Sequence, residues 1–427
     1  MNRIKAILKN EYIFSILSRF ISLAISLLQS ILVARYLGAE LQGVNSYILS
    51  IVSIGAIIIT FGMHQAYPYF RKKYGKEYIY QNFFTLTILL YSFYFVASIF
   101  ISLLFKSNIE IMAAIILIPL YGYGRVVAYI TLIEKPNSRN LWWTIAAAID
   151  VVFVILLMLF IEKSLITALS ILIFAEALKA VIYTVILWTK PKFNKDLFNL
   201  LGRLFMMGFF PMIALLLTTL NYKIDVIMLR NFEFITDAQV GVYAIGMNFA
   251  DKVVMIPDTL KGVLASKLSK GADEHEVARI SRLCFWSSIL ICIAFLVLGE
   301  TVINLLYGQE YDGAYQVLLI CASGSIFVGY FKLIAQYNII NKKQIRNVVL
   351  LSGSIIVNVI LNFILIPVWQ LNGAAFASGV GYLLTGLIFV FWFAIKNHIR
   401  IDEMFLPQKE DFLYFKKLLG RRKKNDN

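Results

Sequence analysis

The residues in this chain with chemistry to offer are charged side chains set inside long apolar stretches. Arg19, Arg125, Lys223, Lys252 and Lys332 are cations in such positions, and Arg230 closes another stretch. Asp150 and Asp251 are the carboxylates of interest. A charge in hydrocarbon costs about 2.5–3.5 kcal/mol or more, so such residues rarely face lipid and mark ligand or ion pathways. A set of cations suits the holding of an anion, and a lone carboxylate suits the uptake of a coupling ion. Each also has a plainer reading. Arg125 and Lys332 each lie eight residues from the cytoplasmic end of their stretch, about 12 Å deep at 1.5 Å per residue, and Arg19 is similarly placed. All three are within snorkelling reach of the interface. Glu176 and Lys179 are three apart and read as a neutralised pair on one helix face. Asp251 and Lys252 are adjacent and either pair with other helices or line a cleft. Lys223 and Arg230 share a face from which Asp225 points away. Asp150 stands alone in mid-stretch, as an ion-coupling group or as the partner of a residue on another helix. His64 reads as an interfacial histidine.

No catalytic constellation accompanies these charges. The chain has no GxxxxGK[ST] loop, no HExxH and no GxSxG. Its three cysteines, Cys284, Cys292 and Cys321, fall inside apolar stretches, against a disulfide framework or a zinc site. No metal, cofactor or enzyme activity is expected. No cleavable signal is evident either, and the first stretch reads as an uncleaved anchor.

The elements that must position the charges are helices in a membrane. The composition is 60% hydrophobic and 15% charged, with mean hydropathy +0.76, which is that of an integral membrane protein. Twelve apolar stretches run over 12–34, 44–67, 83–105, 109–133, 141–161, 165–188, 204–229, 240–264, 283–306, 314–340, 348–368 and 373–395. A hydrocarbon layer of about 30 Å needs about 20 helical residues, and the runs are continuous rather than alternating, which excludes strands. Of the 40 Lys and Arg residues, 29 fall in alternate connectors and the tail, and only Arg35, Lys106, Lys163 and Arg230 fall in the other set. The positive-inside bias therefore places both termini in the cytoplasm. The same bias accounts for the net charge of +15 without nucleic acid. The tail from Lys409 to Lys424 mixes basic residues with Phe412, Phe415, Leu418 and Leu419 and reads as an amphipathic segment on anionic lipid.

The chain also repeats. A shift of 207 residues lays 122–140 on 329–347 without a gap, matching Gly122 to Gly329, Arg125 to Lys332, Lys135 to Lys342, Arg139 to Arg346 and Asn140 to Asn347. Six spans separate the copies, so they run in the same direction. Gly43-Val44 and Gly241-Val242 form a weaker echo. The expected architecture is all-α, with twelve transmembrane helices in two parallel six-helix bundles around a central cleft. The halves are 1–189 and 204–395, joined by a cytoplasmic linker at 190–203 and followed by a basic tail at 396–427. Tyr121 and Tyr123, flanking Gly122, are the aromatics singled out for sugar stacking.

Five segments in order carry a family resemblance. They are Leu32-Val33-Ala34-Arg35-Tyr36-Leu37-Gly38 with Gln42-Gly43, and Lys223 to Leu229 with Val240-Gly241-Val242-Tyr243. Then come Leu306-Tyr307-Gly308-Gln309-Glu310-Tyr311, Asn358 to Pro367, and Leu371 to Ala377. On twelve spans, these segments resemble the bacterial polysaccharide flippases, the Wzx-type branch of the MOP exporter superfamily. The resemblance implies a carrier of undecaprenyl-diphosphate-linked oligosaccharide across the bacterial inner membrane, for O-antigen, capsule or similar glycan. It implies membrane lipids, a polysaccharide polymerase and chain-length machinery as partners. Arg19, Arg125, Lys332, Lys223, Arg230 and Lys252 are then the expected substrate-binding residues, with Asp150 and Asp251 for ion coupling. Two rivals stand beside it. A MATE-type exporter of cations calls for an acidic cleft, and a membrane glycan polymerase calls for a large external loop.

Overall fold

The computed structural model describes residues 11–193, 196–269, 271, 273–341, 343–408 and 411. The side chain of Arg19 lies outside the described residues, as do Lys195, Lys270, Lys342 and all of the 409–424 tail segment except Asp411. Among the described residues every regular element is helical. In chain order these are α1 (Glu11–Thr60), α2 (Met63–Tyr74), α3 (Lys76–Ser102), α4 (Ile109–Glu134), α5 (Pro136–Phe160), α6 (Leu165–Leu187) and α7 (Asp196–Arg230). After them come α8 (Asp237–Ala250), α9 (Met255–Ser269), α10 (Glu274–Tyr307), α11 (Ala314–Ile340), α12 (Gln344–Asn397) and the short α13 (Ile401–Phe405).

Nine helical runs among the described residues are long and apolar enough to cross a membrane. Three local features separate this number from the twelve stretches. Stretches one and two run through a single bend at Gly38 (φ 75°), where glycine's lack of Cβ permits the left-handed region. The last two stretches run through a bend at Gln370 (φ 48°). The eighth stretch is cut by a 3₁₀ segment, Asp251–Val254, into α8 and α9. Asp251 and Lys252 therefore sit at a break rather than on a continuous helix, with Lys252 exposed. A 3₁₀ interruption of this kind marks a hinge or a strained sequence. The second half of the sequence-expected linker, from Asp196, is already the start of α7.

The chain forms two compact units, Met1–Val242 with Asn304–Tyr311, and Tyr243–Ile303 with Asp312–Asn427. In the first unit, α1 packs on α4, α5 and α7, and α4 packs on α3 and α6. Glycines permit two close crossings. A Cβ on Gly43 would lie 1.8 Å from the Asp237 carbonyl oxygen and 2.9 Å from the Gly241 nitrogen, and one on Gly241 would lie 2.0 Å from the Ala39 oxygen. The Gly43 and Gly241 echo in the sequence is thus a contact between α1 and α8. Gly62 and Gly208 meet in the same way, with 2.2 Å from a Gly62 Cβ to the Gly208 oxygen. Ion pairs fix the ends. The Arg230 guanidinium holds both Glu110 and Asp237 and lies 4.4 Å from the Tyr47 ring centroid. Glu134, with 1% of its side chain exposed, accepts from Arg71 (2.5 Å), Lys76 (3.2 Å) and Tyr67 (2.7 Å).

In the second unit α11 packs along α12, and a Cβ on Gly324 would lie 2.1 Å from the Gly379 oxygen. The motif residues Asn358 and Asn362 are fully buried, with the Asn362 amide donating to the Asn358 side chain at 3.1 Å. The chain after α12 folds back onto α10 and α11. Arg282 grips Asp411 with both arms at 2.7 Å, Trp286 donates to the Phe405 carbonyl at 2.8 Å, and Tyr330 donates to the Met404 carbonyl at 2.8 Å.

Candidate substrate cavity

The first unit contains a cavity of about 370 Å³ lined from α1, α4, α5 and α6. Two caps set two of these helices. Asn108 accepts the Glu110 and Ile111 amides and starts α4, and a Ser164–Thr167 capping box starts α6. Pro136 takes the first turn of α5, where its missing N–H costs nothing. From these starts, helical spacing brings the lining residues round to one side. α4 contributes Tyr121, Gly124, Arg125, Ala128, Tyr129 and Leu132, a stripe at i, i+3, i+4, i+7, i+8 and i+11. α5 contributes Arg139 and Trp143, one turn apart, and α6 contributes Glu176, Lys179 and Tyr183. Ser53 of α1 completes the wall.

Three cations therefore face one carboxylate. Lys179 bonds Glu176 at 2.8 Å and lies 5.3 Å from the centre of the Trp143 ring. Arg139 lies 5.2 Å from the same ring, so two cations share the electron-rich face system of one tryptophan. Gly124 makes room for the acid, since a Cβ there would stand 3.2 Å from Glu176 Oε2. Arg125 is half-buried and makes no hydrogen bond or ion pair to another described residue. A guanidinium carries five donors in a planar fork suited to phosphate or carboxylate, and here that fork meets no acceptor among the described residues. Behind the wall, His64 packs edge-on against Tyr129 at 5.2 Å and is only 3% exposed. Asp150 is 2% exposed, its Oδ1 meets no hydrogen-bond donor among the described residues, and it lies within electrostatic reach of Lys179 and Glu176.

Of the residues selected from sequence, Arg125 and Tyr121 line this cavity, and Tyr123 turns away to bond Thr184 at 2.6 Å. Arg139 and Lys179 were not selected. Arg139 follows Lys135 in a basic connector, where the positive-inside bias accounts for it, and Lys179 is accounted for by Glu176 three residues before it. Lys332, the repeat mate of Arg125, bonds Asp258 at 2.7 and 2.8 Å in the second unit. Arg230 has its fork engaged by two carboxylates. Lys223 is half-buried and makes no ion pair among the described residues.

The profile of the family described as "Polysaccharide biosynthesis protein" matches residues 8–257. The chain belongs to this family. Among solved structures, it is similar to the lipid II flippase MurJ in an inward closed conformation, with a TM-score of 0.74 at 15% identity over 92% of this chain and 90% of that one. It is similar also to an inward-facing MATE multidrug resistance transporter of the MOP superfamily, at TM-score 0.67 and 13% identity over 88% and 94%. A MOP superfamily transporter from Pyrococcus furiosus, described as having a binding pocket of reversed polarity, follows at TM-score 0.57 and 10% identity over 90% and 94%. No curated protein sequence matches the chain. At these identities the likeness is one of fold, and the fold is that of the MOP transporters, a multi-pass membrane protein.

Proposed function

We propose that this protein flips oligosaccharides linked to undecaprenyl diphosphate across the bacterial inner membrane, for assembly of a surface polysaccharide. The observation that carries the reading is the lining of the cavity, where Arg125, Arg139 and Lys179 face the single carboxylate of Glu176. A diphosphate cannot cross hydrocarbon without its charge being answered. Arg125 supplies the uncommitted fork, Arg139 and Lys179 add charge from α5 and α6, and Trp143, Tyr121 and Tyr129 offer ring faces for sugars. The polyprenyl tail stays in lipid. Twelve spans in two six-helix halves rock to alternate access, and both termini face the cytoplasm. Lys223, Lys252 and Lys332 serve later stages of the passage, Arg230 is engaged by Glu110 and Asp237, and Asp150 and Asp251 serve ion coupling. A MATE-type exporter of cations is disfavoured, because the cavity has the wrong sign for such substrates.

The test is deletion of the gene followed by lipid analysis. A lipid-linked oligosaccharide trapped on the cytoplasmic leaflet supports the reading, and its mass names the sugars. Unchanged glycolipids with new sensitivity to cationic drugs would favour the exporter instead.

A further inference from the structure

The eight residues Asn304–Tyr311 belong to the first compact unit, although the chain on both sides of them belongs to the second. Side-chain bonds hold them there. Arg35 donates from Nε to the Leu306 carbonyl at 2.7 Å and from Nη2 to the Leu305 carbonyl at 2.5 Å. These are carbonyls of the last turn of α10, which has no intrahelical partner for them and presents a negative dipole end, so the cation is well placed. Tyr311 donates its hydroxyl to the Ala34 carbonyl at 3.0 Å. Tyr307 meets Ser30 Oγ at 3.2 Å, and Glu310 accepts the Ala39 amide at 3.2 Å. That amide follows the Gly38 bend, where helical pairing is broken. Gly308, at φ 95°, turns the segment over.

We infer that Asn304–Tyr311 is a latch on the side of the membrane that the charge pattern assigns to the exterior. Its covalent neighbours belong to the second unit, and its side chains are seated on residues 30–39 of the first. Any excursion that carries the neighbours away must first unseat it. Its bonds are few, polar and mostly to backbone carbonyls, and unseating it also uncovers two buried rings, Tyr307 and Tyr311. The latch rests on the alternating-access part of the proposed function, and not on the identity of the substrate.

The test uses the full chain in cells, with Cys284, Cys292 and Cys321 replaced by alanine and Ser30→Cys as reporter beneath Tyr307. A membrane-impermeant maleimide added outside should label the reporter slowly while the latch is seated. Arg35→Ala combined with Glu310→Gln should raise the labelling rate about tenfold, one decade per 1.4 kcal/mol of lost seating. Tyr311→Phe removes one hydroxyl and no volume, and should shift the rate in the same direction by a smaller factor. It decides the matter if the double variant fails to reach the membrane. Equal rates in seated and broken forms would overturn the latch, as would rapid labelling before any change. No substrate enters this assay, so a wrong glycolipid assignment leaves its result intact.

Discussion

Arg125→Ala is the sharpest perturbation of the cavity, because its two consequences separate. The side chain makes no hydrogen bond or ion pair to another described residue, so its removal orphans no partner. A half-buried helical position accepting alanine should change stability by no more than about 0.5 kcal/mol. Binding is different. A guanidinium fork gives a diphosphate two charge-assisted hydrogen bonds of about 1.5–3 kcal/mol each. Losing both should cost about 3–6 kcal/mol, a drop in affinity of about a hundredfold to about ten-thousandfold. Arg125→Lys keeps the charge and loses the fork, with a cost of about tenfold. Arg125→Glu adds a second carboxylate beside Glu176 and should be the worst of the three. The assay is titration of purified protein with undecaprenyl diphosphate, alongside surface glycan and membrane protein level in cells. Normal glycan display from Arg125→Glu would refute the reasoning and return Arg125 to a snorkelling role.

Three further outcomes follow from the same geometry. Glu176→Gln should release Lys179 from its 2.8 Å bond and raise affinity for a diphosphate by about tenfold, read in the same titration; weaker binding would show that Glu176 orders the site. Gly43→Ala should force α1 and α8 apart, at a cost of about 1–3 kcal/mol, seen as lower membrane level and melting temperature. Gly202→Ala, with nothing within 4 Å of its Cβ, is the neutral control. Burial alone would raise the Asp411 carboxyl, but the bonds from Arg282 and the Gln408 amide outweigh it and hold the group below the ordinary carboxylate range. A depressed acid stabilises above its unfolded pKa and loses that contribution as pH falls through the folded value. Hydrogen exchange of residues 401–408 should therefore be slow at neutral pH and accelerate only in strong acid, and Arg282→Gln should make it fast at every pH.

Much of the fold was legible because hydropathy and loop charge act locally. The continuous apolar runs gave the helices, and the Gly38 bend lies between stretches assigned as separate spans. What the sequence could not supply was distance across the chain. Arg230 and Glu110 are 120 residues apart in sequence and meet at 2.9 Å, so a cation that reads as available is saturated. The matched glycines, Gly43 and Gly241, read as a weak echo, and that they also meet in space is not something a sequence spacing announces. The cavity was half legible. Arg125 stood out through its depth and its repeat mate, and Tyr121 through Gly122. Arg139 was hidden by the positive-inside reading, which treats every connector cation as topological. Its spacing to Trp143, together with the Glu176, Lys179 and Tyr183 face of α6, was the signal that could have found it.

The central claim is that this chain moves a diphosphate-linked glycan between leaflets, and reconstitution tests it most directly. Purified protein in proteoliposomes, loaded with a fluorescent undecaprenyl-diphosphate oligosaccharide in both leaflets, is exposed to an impermeant quencher of the sugar label. The account predicts that wild-type protein carries the inner-leaflet pool out to the quencher, while Arg125→Glu leaves about half of the signal protected, as in empty vesicles. Protection that is the same with wild-type protein as without protein, across proton and sodium gradients of either sign, would contradict the account.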